Sequence, residues 1–261
     1  MATKYIAKKP DSKGYVAYDE QENETWHTLI TRQLPIVKNR ACEEFIQGLE
    51  ILDLPKDSVP QLPDVNKKLL AATGWQVVPV PTLINFDNFF NLLANRKFPA
   101  ATFIRIPEEL DYLQEPDIFH EIFGHCPMLT NKPLADFTAK FGELGLNAPA
   151  KVQKFLARLY WFTIEFGLIK RNNDLKIYGG GILSSIGETT YALDSEQPVR
   201  QPFDLINMLR TPYRIDIFQT TYFVINDFHD LLSLFENDLT AKVKEAIALG
   251  EFDPSFPPKI C

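Results

Sequence analysis

The sequence predicts a mainly α-helical protein with a few short β-strands, on three observations. Apolar residues recur at helical spacing over most of the chain. Strand-like runs are few and short. The length of 261 residues suits one large core and is short for two. With 45% hydrophobic and 23% charged residues, the composition excludes a disordered or fibrous chain.

Taken in order, Ile30, Leu34 and Val37, then Phe45, Ile46 and Leu49, predict one or two helices up to about residue 52, with Pro35 kinking or dividing them. A proline-rich connector follows at 54–63, then a short helix over 65–73 with Gly74 just past its end. Residues 75–80 and 101–106 read as short strands, separated by an apolar helix over 85–95. From Pro116 the pattern is helical over 116–125, 134–144, 150–171, 203–210, 219–236 and 239–249. A strand–turn–strand piece is expected within 176–193, around Gly179, Gly180 and Gly181.

Several function classes are disfavoured at this level. A net charge of -7 with no basic block argues against nucleic-acid binding. The first fifteen residues lack the apolar core of a signal peptide, and no apolar run is long enough to cross a membrane. Three cysteines (Cys42, Cys126 and Cys261) without C-x-x-C spacing argue against a disulfide framework or a cysteine zinc site, so a reducing cytoplasm is expected.

Of only four histidines, two lie in the segment His120-Glu121-Ile122-Phe123-Gly124-His125. Imidazole is the commonest side-chain metal ligand, and Pro116 and Asp117 suit the start of a helix. The spacing is H-E-x-x-x-H, whereas zinc proteases use H-E-x-x-H. Five residues turn about 140° on an α-helix, so both rings reach one ion only where the helix unwinds. Gly124 and Pro127 predict that unwinding at or near His125. A second apolar stretch, 159–169, carries one charge, Glu165. A buried carboxylate must be paired, protonated or metal-bound; Arg158 is the candidate ion-pair partner, and the two histidines offer the metal alternative. Two imidazoles and a carboxylate make the facial triad of non-haem Fe(II) oxygenases.

Three stretches carry a family resemblance: EPDIFHEIFGHCP at 115–127, WFTIEFGL at 161–168 and YGGGILSSIGE at 178–188. They resemble the iron, carboxylate-ligand and substrate-loop segments of the pterin-dependent aromatic amino acid hydroxylases, and the likeness runs from about Tyr18 to Phe235. It implies an N-terminal segment over 1–17 and a catalytic domain over 18–261. It further implies that His120, His125 and Glu165 hold Fe(II), with O2 and tetrahydrobiopterin or a related tetrahydropterin as cosubstrates. Arg105 would bind the substrate carboxylate, Ser184 and Gly181 the amino-acid moiety, and Pro116, Trp161 and Phe166 the aromatic ring. Ile84, Phe89, Glu121 and Tyr160 would form the pterin site. Plain core packing is the alternative for Phe89, Trp161 and Phe166.

Trp161 matches the phenylalanine and tyrosine hydroxylases of the family better than the tryptophan hydroxylases, and L-phenylalanine is the expected substrate. Tyrosine or tryptophan hydroxylation and, from another class, a zinc hydrolase are the alternatives. Unlike the animal members, the chain shows neither a regulatory region before the catalytic one nor a long heptad helix after it. The family's pocket threonine is matched by Leu113. A monomer or small dimer with no membrane association is expected.

Overall fold

The computed structural model describes residues 5–81, 84–111, 115–236 and 238–258; Leu113 and Cys261 lie outside them. Helix α1 (Glu20–Val37) opens with a reciprocal capping box between Asp19 and Glu22. Its Trp26, Leu29, Ile30 and Val37 face the core at helical spacing. Pro35 sits inside its last turn, and the break before α2 (Glu43–Leu52) falls at 38–42 instead. Helix α3 (Leu62–Thr73) ends where Gly74 turns to φ +78°.

Strands β1 (Gln76–Val80) and β2 (Lys97–Ala101) pair in parallel, with α4 (Phe86–Ala94) as the crossover. The strand expected over 101–106 is therefore displaced toward the N-terminus. Its second half finds other hydrogen-bond partners. Phe103 O accepts from Ile118 N at 2.9 Å, and Arg105 N donates to Asp117 Oδ2 at 3.0 Å. The segment is thus tied to the start of the histidine helix rather than to a sheet.

The region after 116 corrects several expectations. The histidine helix does not unwind at His125; His120–His125 is a π-helix that runs directly into α5 (Cys126–Leu129). Helix α6 (Lys132–Leu146) and helix α7 (Ala150–Tyr160) follow, and α7 passes into a second π-helical turn, Trp161–Glu165. The helix expected to reach residue 171 stops there. Its apolar tail is β3 (Leu168–Arg171), joined to β4 (Asp174–Ile177) by a turn in which Asn172 and Asn173 take φ +49° and +71°. Two consecutive positive φ angles suit a tight hairpin turn, and asparagine tolerates them.

The glycine run therefore follows a hairpin instead of making one: it leads into α8 (Gly180–Leu183) and then α9 (Ile186–Asp194). Strand β5 (Val199–Pro202) was not expected, and α10 (Leu205–Arg210) was. The helix expected over 219–236 is β6 (Thr221–Ile225), α11 (Phe228–Leu232) and a 3-10 turn, Ser233–Glu236. The β-branched and aromatic run of β6 wins over helical periodicity because it fills a buried place in a sheet ordered β4-β3-β6-β5. Helix α12 (Leu239–Leu249) packs on α10 and α7 through Leu239, Val243 and Ala246.

One contiguous core joins these pieces. Within it Phe119 stacks on Phe123 at 4.9 Å and meets Trp26 edge-on at 5.4 Å, which fixes the axis of the π-helix against α1. Residues 250–258 run along the outside of 210–220: Phe252 N donates to Arg210 O, Ser255 pairs with Thr220, and Arg214 Nη1 donates to Pro257 O. No helix among the described residues is long and apolar enough to cross a membrane.

Candidate active site

The two π-helical turns put the predicted metal donors face to face. In a π-helix the hydrogen bond runs from i to i+5, so residues five apart come to nearly the same face. That answers the spacing problem. His120 Nε2 and His125 Nε2 lie 3.1 Å apart, and Glu165 Oε2 is 3.6 and 3.3 Å from them. Donors about 2.1 Å from one ion at angles of 90–109° would lie about 3.0–3.4 Å apart. Two of the three separations fall in that range, and the His120–Glu165 one, at 3.6 Å, needs only a small closure of the carboxylate to hold a single metal. In the second turn, Phe166 N donates to Trp161 O at 2.9 Å, the same i to i+5 bond that carries Glu165 inward.

Protonation favours coordination. Burial drives His120 down to about 4, which leaves its ring neutral near pH 7. Burial opposes the charge on Glu165, but His125 and His120 hold its carboxyl below the usual range. Ser184 settles the tautomer of His120: its hydroxyl donates to Gly180 O at 2.9 Å and so accepts from His120 Nδ1, also at 2.9 Å. Nε2 is then left with its lone pair toward the other donors. Glu121 also has a carboxylate oxygen within 4.8 Å of one ring nitrogen of each histidine. It is the weaker third donor, because burial and the charges of Glu165 and Asp117 push its carboxyl well above the normal value.

Two glycines let these elements close. A Cβ on Gly180 would fall 2.4 Å from His125 Nδ1, and one on Gly181 would fall 2.9 Å from Glu165 Oε2. Arg158, the possible ion-pair partner of Glu165, bonds Leu209 O and Glu251 instead.

All six residues expected around the substrate line one cavity of about 320 Å³: Arg105, Pro116, Trp161, Phe166, Gly181 and Ser184. His120 and Glu165 open into it as well. Arg105 is buried and forked onto Asp117, Nε to Oδ2 at 2.8 Å and Nη2 to Oδ1 at 2.9 Å. Burial alone would raise the Asp117 carboxyl, but Arg105 brings it below the ordinary value. Asp117 Oδ1 also accepts from His120 N at 3.0 Å, so one carboxylate ties the guanidinium to the metal helix. Sequence reasoning read Asp117 only as a helix-dipole partner. It also missed Glu188, Ile217, Phe218 and Gln219, which line the same cavity. Glu188 was legible in the quoted loop motif; for the 217–219 stretch no local pattern announced a pocket wall.

The four residues expected around the pterin do not line this cavity. Phe89 and Tyr160 meet edge to face at 5.1 Å where α4 approaches α7; Phe89 and Ile84 are half-buried. Burial raises the Tyr160 hydroxyl, and Glu165 and Glu121 both lie close enough to raise it further, so Phe89, Tyr160 and Glu121 share a neighbourhood. Cys126 is a buried thiol whose pKa burial raises far above normal, and its sulfur is not in the cluster of donor atoms that groups the two histidines with Glu121.

The family model for biopterin-dependent aromatic amino acid hydroxylases matches residues 1–254. The chain belongs to that family. This hydroxylase is 55% identical over 257 residues to the phenylalanine-4-hydroxylase of Pseudomonas aeruginosa, covering 98% of both chains. It is 53% identical to that of Vibrio cholerae, covering 98% of this chain and 89% of the other. Among solved structures, the cold active phenylalanine hydroxylase from Colwellia psychrerythraea 34H superposes with a TM-score of 0.94 at 51% identity, covering 97% and 98% of the two chains. The Chromobacterium violaceum enzyme with bound oxidised Fe(III) gives 0.88 at 44% identity, covering 94% and 91%.

Proposed function

We propose that the protein is a phenylalanine 4-monooxygenase, converting L-phenylalanine to L-tyrosine with O2 and a tetrahydropterin at Fe(II) held by His120, His125 and Glu165. The observation that carries this reading is a single cavity shared by two of the metal donors, a buried arginine and an aromatic wall. The iron and the pterin, when bound, supply the activation of O2. The chain supplies binding, orientation and a dry site.

Asp117 takes two of the three guanidinium nitrogens of Arg105. Arg105 is thus pre-oriented, with Nη1 available to the substrate carboxylate. Ser184 and the bare backbone at Gly181 lie beside the amino-acid moiety, while Pro116, Trp161 and Phe166 wall the ring. The tilted pair of Trp161 and Phe166, 4.5 Å between centroids, makes one continuous aromatic face. Phe89, Tyr160, Ile84 and Glu121, which lie outside the lining of this cavity, would form the pterin site. We further read the protein as a cytoplasmic monomer or small dimer; the free, buried Cys42 and Cys126 suit a reducing compartment.

The test is anaerobic mixing of the Fe(II)-loaded protein with L-phenylalanine and a tetrahydropterin, followed by air. Oxygen uptake with tyrosine formation is expected, and slower turnover with tyrosine or tryptophan as substrate. No oxygen uptake, or hydrolytic activity restored by Zn(II), would favour the hydrolase alternative.

A further inference from the structure

Trp161 is held by more than packing. Its indole packs on two rings, tilted against Phe166 at 4.5 Å and 31° and stacked on Tyr213 at 4.6 Å and 23°. Ring contacts of this kind restrain tilt but leave the indole free to slide in its own plane. The in-plane position is set by one hydrogen bond, Trp161 Nε1 to Gln219 Oε1 at 2.9 Å. Gln219 is only 4% exposed, and both polar atoms of its side chain are used: besides the bond to the indole, Nε2 donates to Arg214 O at 2.9 Å and to Ile217 O at 3.2 Å. Its backbone N–H donates to Glu188 Oε1 at 3.0 Å. Glu188 is likewise 4% exposed, and the same oxygen accepts from Tyr222 OH. Both Glu188 and Gln219 line the cavity that holds the metal donors.

A buried carboxylate costs free energy, and Glu188 has no arginine or lysine bonded to it among the described residues. Its bonds reach the backbone of Gln219 on one side and β6 on the other. We propose that Glu188 and Gln219 are positioning residues for the hydroxylation, Glu188 fixing the backbone of Gln219 and Gln219 fixing the indole of Trp161 against which the substrate ring rests. The inference rests on the function proposed above. Neither residue touches the reacting atoms. Both act through Trp161, and a ring displaced by a fraction of an ångström leaves the reacting carbon off line. The reaction then consumes pterin without delivering oxygen to the ring.

Two measurements test it. In the wild-type protein, 15N NMR of the three tryptophan indoles, assigned with Trp161→Phe, should show Trp161 Nε1–H exchanging slowly although its ring lines an open cavity. Exchange as fast as in a free indole would overturn the proposal without any need for a further variant to fold. Kinetically, Gln219→Met should lower kcat/KM roughly two- to tenfold, the worth of one hydrogen bond. Tyrosine formed per pterin oxidised should fall with it, at unchanged iron content. Glu188→Leu should do the same. Glu188→Gln, whose carbonyl can accept both bonds, should restore the ratio. In a Trp161→Phe background the effect of Gln219→Met on that ratio should vanish. Additive losses, or a Glu188→Gln variant as uncoupled as Glu188→Leu, would overturn the proposal. Failure of the wild type to hydroxylate phenylalanine would instead sink the functional reading, and the NMR result would still stand by itself.

Discussion

At the scale of single residues, Asp117 joins two tasks that the sequence kept apart. It completes the guanidinium fork of Arg105 and receives the backbone N–H of His120. Breaking a buried pair of this kind costs about 3–5 kcal/mol, so Asp117→Ala should be strongly destabilised as well as poor in phenylalanine binding. Arg105→Lys keeps the charge but loses the fork, and should raise the KM for phenylalanine while iron content holds; an unchanged KM would remove Arg105 from the site. His120→Ala and Glu165→Ala should lose both bound iron and turnover, and full iron with normal rates in either would refute the assigned donors. The acids also differ in their pH signatures. Asp117 is depressed in the folded state, so its contribution is complete above about pH 4 and is lost on acidification. Glu188 is raised by burial to about 7, against the partly opposing bonds from Tyr222 and Gln219. The folded state then holds a proton that the unfolded chain has released, so this group makes stability fall as pH rises from about 4.5 to about 7. Denaturant melts of Glu188→Gln should flatten that slope; an identical slope would show Glu188 ionised throughout.

At the scale of elements, what the sequence made legible and what it hid divide along one line. Capped, strongly periodic helices were readable: α3 with its Gly74 stop, α4, α6, α10 and α12 lie where apolar spacing put them. The convergence of His120, His125 and Glu165 was readable too, because scarce histidines and a lone acid in an apolar run are local signals. The π-helices were not. Five-residue spacing and Gly124 showed that an ideal helix fails there, but one extra residue per turn and a full unwinding look alike in sequence. Strands β3 and β6 were hidden because short buried strands and buried helices share the same apolar runs. The glycine run was misread as a turn, although its small size serves the approach of α8 to both metal-bearing turns. Gly180→Ala should therefore lower iron occupancy by crowding His125, measurable by metal analysis on folded protein. Full occupancy would mean that the ring can shift aside.

At the scale of the molecule, the apolar face of α12 is spent inside the protein, on α10 and α7. That leaves this helix without a stripe for a coiled coil. A monomer or small dimer with hyperbolic dependence on phenylalanine is expected, and a Hill coefficient clearly above one or a tetramer by light scattering would contradict it. The outer clasp of residues 250–258 acts as a latch on the stretch that carries Gln219, since it fastens Arg210, Arg214 and Thr220. A chain shortened to residue 249 loses these fastenings and keeps His120, His125 and Glu165, so it should retain iron and bind phenylalanine weakly. Phenylalanine binding unchanged by the shortening would show that the latch bears on nothing in the pocket.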